Sequence, residues 1–370
     1  MIRHRVFLLM GLCFLVLMFL QGCGYKDIEK RYFITAIGLD ESDKGPDFYK
    51  VTIKISLPST EAQSLGNDQY IILTRETKTI SEAVRLFKSD LDRELDFSHT
   101  KAILLGKGII DRNIETTLDW FLRRTDVQNI AYVAVGDPSA KDVLDAKIKG
   151  EQLASNAIFM FFGRTGAETP YVATTYLYDL KKNLTDDGID AILPELSIQN
   201  DLLAVNNTYI LTEKKAMLKL NKEETKILNS LKNYNRNLDL DMVADKNNHY
   251  FVVDIESFKT DYDIKVPKNQ SPYIHLSVNI KGSIEESKTK LSLQNIDHYN
   301  KEVSAATQQR ILALLKKCQK YHVDPLGFGL HYFATHFYND NEVETWNSLY
   351  QNIKFNVTVN TDLRTTGAIQ

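Results

Sequence analysis

Between Tyr32 and Leu144 the chain alternates two kinds of hydrophobic spacing, and that alternation restricts it to a sheet with helices packed against it. Strand-type runs stand at Tyr32 to Gly38, Tyr49 to Leu57, Tyr70 to Thr74, Ala102 to Leu105 and Ile130 to Val135. In the second run Val51, Ile53 and Ile55 fall on one side and Thr52, Lys54 and Ser56 on the other, which predicts a half-buried strand paired to its predecessor. Helix-type spacing separates the strands. Ile80, Ala83, Val84, Phe87 and Leu91 recur at intervals of three and four, with Thr79 or Ser81 as a cap and Glu82 in the first turn. Asp111 is expected to cap a second helix whose inner face is Ile114, Leu118, Phe121 and Leu122; a third is expected from about Ser139, carrying Val143 and Leu144. Strands and helices in this order imply a mixed sheet.

Residues 151–182 read as more helix, with an aromatic density that core packing explains best. Asp186-Asp187-Gly188 is turn chemistry, and Leu193-Pro194-Glu195 looks like a boundary. The second half starts again with strands, at Thr208 to Leu220, Leu238 to Val243, Tyr250 to Ile255 and Ile274 to Ile280, with a short helix over Lys222 to Leu231. The longest helix is expected over Asn300 to Tyr321, with Val303, Ile311, Leu314, Leu315, Cys318 and Tyr321 inward and Gln308, Arg310, Lys316, Lys317 and Lys320 towards water. Pro325-Leu326-Gly327-Phe328-Gly329 breaks it, a further helix carries Tyr332 and Phe333, and Phe355 to Val359 is a last strand. The expected fold class is α+β, or mixed α/β, in two to three small domains, each a mixed or antiparallel sheet packed with helices. The expected divisions are a leader over 1–22, a tether over 23–30, an N-terminal α/β region over 31–198 that divides again near 148, and a C-terminal α+β domain over 199–370.

The first 23 residues decide where such a body would reside. Arg3, His4 and Arg5 precede an apolar run from Val6 to Leu20, and this run of 15 residues is shorter than a bilayer span of about 20. A secretory leader is therefore expected rather than a permanent transmembrane helix. Leu20-Gln21-Gly22-Cys23 resembles the lipobox of bacterial lipoproteins, in which a diacylglyceryl group is attached to the cysteine sulfur before cleavage. The chain would then be tethered through Cys23 to the outer face of a membrane. Of the three cysteines, Cys13 leaves with the leader and Cys23 is acylated, so Cys318 has no intramolecular partner; its helical, apolar surroundings make it a buried small hydrophobe. Net charge is −3, or −5 once Arg3 and Arg5 are removed, and no basic cluster marks a nucleic-acid surface.

Residues for chemistry are sparse. The chain carries no GxxxxGK[ST], GxSxG, HExxH or CxxC pattern. Gly106-Lys107-Gly108 is too short to cradle phosphate and reads as a turn. His331 and His336, five apart, point in different directions on a regular helix. Asp92, Arg93, Asp96, His99 and Lys101 could be imagined as an acid–base cluster, but a hydrogen-bonded loop that fixes helix to sheet explains them better. Asp186, Asp187 and Asp190 lack the ligand spacing of a calcium loop and read as a solvated turn. No catalytic residue, cofactor or metal ligand is expected.

Taken in order, the blocks resemble one family. Asp27-Ile28-Glu29 and Phe33-Ile34-Thr35-Ala36-Ile37-Gly38-Leu39-Asp40 after the lipobox, Leu91 to Lys101 (LDRELDFSHTK), Leu118-Asp119-Trp120-Phe121-Leu122-Arg123-Arg124, Ala140 to Leu144, and Asp324-Pro325-Leu326-Gly327-Phe328-Gly329 followed by Trp346 are similar to the Ger(x)C spore germination lipoproteins. The resemblance covers essentially the whole chain after the leader. It implies the C-type subunit of a nutrient germinant receptor, with two membrane-embedded or membrane-associated partner subunits, held in the inner spore membrane. It carries over one functional residue, Cys23, as the lipid-attachment site. It also implies action by protein–protein contact, without an enzymatic activity. The competing expectation is a solute-binding lipoprotein that delivers a nutrient to a transporter, which calls for two doubly wound lobes around a cleft.

Overall fold

The computed structural model describes residues 30–57, 70–112, 114–147, 169–232, 238–243, 250–267, 270–287, 291–336 and 341–364, with the single residues 5, 11, 158 and 162. Cys23 and most of the aromatic segment between 148 and 168 lie outside them. The fold is mixed α+β, as the spacing implies: a nine-stranded mixed sheet and a second, four-stranded sheet, both packed with helices.

The large sheet starts with β1 (Arg31–Glu41), β2 (Tyr49–Ser56) and β3 (Tyr70–Thr77), paired antiparallel in that order. Helix α1 (Ile80–Asp90) then returns the chain to the other side of β1. The side chain of Thr79 accepts the Glu82 N–H at 3.1 Å and the Glu82 carboxylate reaches back to the Lys78 N–H at 3.2 Å, so the expected cap is made. A short β4 (Glu94–Asp96) and β5 (Ala102–Gly106) both lie parallel to β1. Helices α2 (Lys107–Ile110) and α3 (Ile114–Leu122) lead to β6 (Tyr132–Asp137), parallel to β5. Helices α4 (Ala140–Asp145, capped by Ser139) and α5 (Leu177–Thr185) precede β7 (Ala191–Gln199), parallel to β6. β8 (Leu202–Leu211) and β9 (Ala216–Leu220) close the sheet antiparallel, giving the order β3-β2-β1-β5-β6-β7-β8-β9 with β4 beside β1.

Both faces of this sheet are covered. Ile37, Leu39, Val51, Ile53, Ile103, Leu105, Val133 and Val135 pack against α1, α2, α3 and α5, while Ala36, Ala102, Leu104 and Ala134 pack against α4 with Ile158 and Phe162. That double cover corrects the half-buried reading of β2, because Thr52 and Lys54 on its polar side are as buried as Val51. Lys54 is tolerated because its Nζ donates to the Leu144 carbonyl at the end of α4 and lies 3.7 Å from the Tyr70 ring centroid. Burial pushes its ammonium down to about 8.

The second sheet has the order β10-β11-β12-β13, from β10 (Leu238–Val243), β11 (Tyr250–Lys265), β12 (Tyr273–Ser287) and β13 (Lys354–Leu363). The first three are antiparallel; β13 returns parallel to β12 after α7 (Ile296–Lys320), α8 (Phe328–Thr335) and α9 (Glu342–Asn352). Helix α6 (Lys222–Leu231), held by an Asn221–Glu224 capping box, joins the two halves. Ile274, Leu276, Val278 and Ile280 of β12 meet Val303, Ile311, Leu314, Leu315 and Cys318 of α7 in one core, which Ile192, Ile210, Leu218 and Leu220 of the large sheet also enter.

Several local readings change. Thr208 to Leu220 is two strands, because Thr212-Glu213-Lys214-Lys215 turns, with the Thr212 N–H on the Lys215 carbonyl at 3.0 Å. Leu193-Pro194-Glu195 is the middle of β7; β6 pairs only from Glu195 onward, so Pro194 has a ladder partner on the β8 side alone. Asp111 ends α2 instead of starting α3. Tyr321 lies outside the core because α7 stops there and His322 takes a φ of 55°, and Gln308 faces β13 rather than water. Asn300, Ser304 and Gln308, one helical turn apart, bond to Leu363, Thr361 and Val357 along the outermost strand, which covers an edge that would otherwise invite pairing. The expected division at 198/199 falls in the β7–β8 hairpin, and the large sheet continues across it to Leu220.

Candidate functional site

The residues around His99 are spread along the first strand. Asp92 accepts the Tyr32 hydroxyl at 3.0 Å, Arg93 lies 5.0 Å from the Tyr32 ring centroid, and His99 packs edge-on against Phe33 at 4.6 Å. Asp96 accepts Arg31 and, at 2.9 and 2.6 Å, the amide and hydroxyl of Ser98. Burial works to raise the Asp96 carboxyl, but Ser98 and Arg31 outweigh it and hold the group below its ordinary range. The Lys101 N–H binds the Thr35 carbonyl at 2.8 Å. These groups do not converge on one point; they clamp the start of β1, as a hydrogen-bonded loop would.

A second place to look is the carboxyl end of the parallel strands. β1 and β5 are parallel neighbours, yet the chain leaves β1 towards β2 and β5 towards β6; such a switch point normally opens a ligand crevice. Here the chain's own carboxylates stand at it. Asp40 accepts the Ala140 and Lys141 N–H groups at 2.7 and 2.8 Å, at the start of α4. A Cβ on Gly106 would lie 2.3 Å from Asp40 Oδ1, and one on Gly108 would lie 1.8 Å from the Glu41 carboxyl carbon. The Gly106-Lys107-Gly108 stretch, read as a turn, is thus a strand end and helix start whose glycines leave room for two carboxylates. Glu41 pairs with Arg112 at 3.0 Å and Asp137 with Lys107 at 2.6 Å. Nearby, buried Glu195 receives Lys219, Asn207 and the Tyr209 hydroxyl at 2.8–2.9 Å. Each of these carboxylates is satisfied by a fixed neighbour, which suits a structural part better than a general base.

The third site lies between the two halves, and sequence reasoning missed it. Asp190, grouped above with a solvated turn, accepts the Asp324 N–H at 2.5 Å and donates its own N–H to the Asp324 carbonyl at 2.9 Å. The Asp324 carboxylate accepts the Gly327 and Gly329 N–H groups at 3.0 and 2.8 Å, and Lys232 Nζ reaches the Pro325 carbonyl at 2.8 Å. Spacing held one clue: an aspartate three and five residues before glycines that open a helix. Burial pushes Asp190 up to about 6 and Asp324 up to about 7, and pushes Lys232 down to about 8. Cys318, buried as expected, is pushed up to about 12.

This junction makes stability depend on pH. The native state keeps carboxyl protons that the unfolded chain, titrating near 3.8, has lost; their contribution is complete below 3.8 and disappears as pH rises through about 6 and about 7. Lys232 acts in the opposite sense, because the unfolded chain holds its proton up to 10.5 and the native state only to about 8, so stability recovers between those values. Urea midpoints should therefore pass through a minimum between about pH 7 and 8, with a fall from acid on the order of 2–4 kcal/mol. Asp190→Asn keeps an oxygen for the Asp324 N–H and should flatten the acid side; a wild-type profile without a minimum would contradict the assignment.

His331 packs edge-on against Tyr262 at 5.0 Å and His336 stacks on Tyr332 at 4.2 Å, so this pair does not meet. Among the described residues no three His, Cys, Asp or Glu side chains come together as metal ligands would, and no helix is long and apolar enough to cross a membrane.

Comparison with known proteins agrees with this architecture. The spore germination protein N-terminal domain matches residues 24–198, and the spore germination B3/GerAC-like C-terminal domain matches 206–367. Spore germination protein B3 of Bacillus subtilis (strain 168) is 32% identical over 136 residues, and the match spans only 35% of either chain. Spore germination protein KC of the same organism is 23% identical over 355 residues, covering 88% of this chain and 86% of that one. The crystal structure of the GerBC protein has the same fold, with a TM-score of 0.59 at 16% identity over 88% of this chain and 96% of that chain. With its two halves matched in order by the two domains of one family, the chain belongs to the Ger(x)C family of spore germination proteins.

Proposed function

We propose that the chain is a lipid-anchored subunit of a spore nutrient germinant receptor, acting by contact with membrane-embedded partner subunits on the outer face of the inner spore membrane. The observation that carries this reading is the sequence Leu20-Gln21-Gly22-Cys23 placed eight residues before the first strand in a chain of this family. Cys23 is the lipid-attachment site. The Asp40 carboxylate at the switch point is engaged by the Ala140 and Lys141 N–H groups, which suits a body that works through its surfaces. A solute-binding lipoprotein is disfavoured by the antiparallel pairing of β10, β11 and β12, since that class needs a second doubly wound lobe.

Affinity-tagged full-length chain, solubilised from spore membranes, is expected to retain membrane-embedded germination proteins identifiable by mass spectrometry. Spores lacking the chain should lose the response to at least one nutrient. Recovery of the chain alone, together with unchanged germination of the deleted strain, would overturn the proposal.

A further inference from the structure

Strands β1, β5, β6 and β7 are parallel, so their amino ends share one rim of the large sheet. The chain enters the fold on that rim, at Arg31. From Cys23 to Lys30 there are eight residues, which reach at most about 28 Å when fully extended. A lipid on Cys23 therefore holds this rim close to the bilayer. The opposite rim stands farther off by the length of β1, whose 11 residues span about 35 Å.

Near the amino end of β6 two large hydrophobic side chains are exposed together. Ile130, two residues before β6, is 60% exposed, and Tyr178, in the first turn of α5, is 47% exposed. The two are adjacent, since the Tyr178 N–H donates to the Asn129 carbonyl at 3.0 Å and the Leu177 N–H to the Ala131 carbonyl at 2.9 Å. Tyr178 is also the outer end of a ring ladder. It stacks on Tyr176 at 5.6 Å, Tyr176 lies 4.9 Å from Tyr132, and Tyr132 lies 5.4 Å from buried Phe162. The ladder ties the exposed ring to the core, so a contact made there costs little additional ordering. An isoleucine beside a tyrosine suits the boundary of a bilayer, where an apolar body and a polar tip are both satisfied. Charges near this rim nearly balance, with Lys30, Arg93 and Lys101 against Asp92 and Glu94 and with Arg31, Arg123 and Arg124 each paired to an aspartate. Attraction to anionic lipid is thus a minor part of the contact.

We propose that this rim is a membrane-contact surface, with Ile130 and Tyr178 seated in the headgroup layer of the bilayer that anchors Cys23. Lipid and rim together make a two-point attachment. It fixes the orientation of the body and presents the carboxyl-end rim away from the membrane. The inference rests on the reading of Cys23 as the anchor, and the test separates the two.

Full-length chain isolated from membranes is reconstituted into vesicles of phosphatidylglycerol and phosphatidylethanolamine that carry a shallow lipid-attached quencher. Ile130→Cys, Tyr178→Cys and, on the far rim, Asp43→Cys, whose parent side chain is 96% exposed, each receive an environment-sensitive fluorophore. Cys318 is 2% exposed and does not label. The expected result is blue-shifted, lipid-quenched emission at 130 and 178 and water-like emission at 43. Equal emission at all three positions overturns the proposal, as does protection of 130 and 178 only when a partner protein is added, which would make the patch a protein interface. The mass of the Cys23 peptide reports the anchor independently. An acylated Cys23 with water-like emission at 130 removes the surface and leaves the anchor; an unmodified Cys23, with quenched emission at 130 repeated in a Cys23→Ser background so that only position 130 labels, removes the anchor and leaves the surface. Loss of both signals removes both.

Discussion

Replacing Cys23 with Ala is expected to move the chain from the membrane fraction of spores to the soluble fraction and to impair the nutrient response that depends on it. The size of the effect follows from the chemistry of the anchor. Each buried methylene contributes about 0.8 kcal/mol, one acyl chain binds a membrane only marginally, and two hold it stably. On the proposed contact, Ile130 and Tyr178 are two side chains and would offer far less than a diacylglyceryl group, so the rim would orient the body without retaining it. On the proposed reading, loss of the tether would also remove the effective concentration that places the body beside its partners; this commonly changes apparent affinity by about 10²–10⁴ with no contact altered. Immunoblots of fractionated spores and the drop in optical density on nutrient addition give the two readouts. A Cys23→Ala chain that stays fully membrane-bound and germinates fully would show that the anchor lies elsewhere.

Gly188→Ala is expected to give a large stability loss for the addition of a single methyl. Gly188 has a φ of +79°, a conformation an alanine reaches at a cost of about 1–2 kcal/mol. A Cβ there would also lie 2.5 Å from the Gly329 carbonyl carbon and from the Leu330 nitrogen, and 2.7 Å from Phe333. Two of these are backbone atoms and cannot swing aside, and the Gly188 carbonyl already accepts the Leu330 N–H at 2.9 Å. Across the contact, a Cβ on Gly329 would meet Trp346 Nε1 at 2.5 Å and Gly188 Cα at 2.6 Å, so neither side has room to yield. With overpacking at about 1–3 kcal/mol, the total for Gly188→Ala is about 2–5 kcal/mol. Gly45→Ala separates the two causes. Gly45 has a φ of +124° but nothing within 4 Å of its added Cβ, so that variant carries backbone strain without the clash. Equal urea midpoints for the two variants would argue that the close approach between the halves is not tight.

Much of the fold is legible because local spacing is set by local burial. Thr79 and the stripe from Ile80 to Phe87 define α1, and Ile274, Leu276, Val278 and Ile280 define the inner face of β12. Reading failed where a second neighbour intervened. Thr52 and Lys54 look like the wet side of a strand until α4, about 90 residues later, lies over them. Gln308 looks like a solvent-facing helix residue until β13 supplies a carbonyl. Helix α9 leaves no legible signal, since only Trp346 and Tyr350 of its residues are buried and two residues make too short a stripe.

The sequence by itself determined the alternation of elements, the candidate lipid site at Cys23 and the ordered blocks that mark the family. All three are properties of neighbouring residues, and a linear chain displays them without folding. Tertiary structure alone decided which distant groups meet. Asp40 reaches Ala140 across 100 positions, and Asp190 reaches Asp324 across 134. The first contact ties the end of β1 to the start of α4; the second joins the two halves through buried carboxyls. No periodicity encodes such pairings, because they depend on the order in which parallel strands assemble and on which helices cover them. The same assembly put Ile130 and Tyr178 on the rim where the chain enters the fold, which no local spacing reveals.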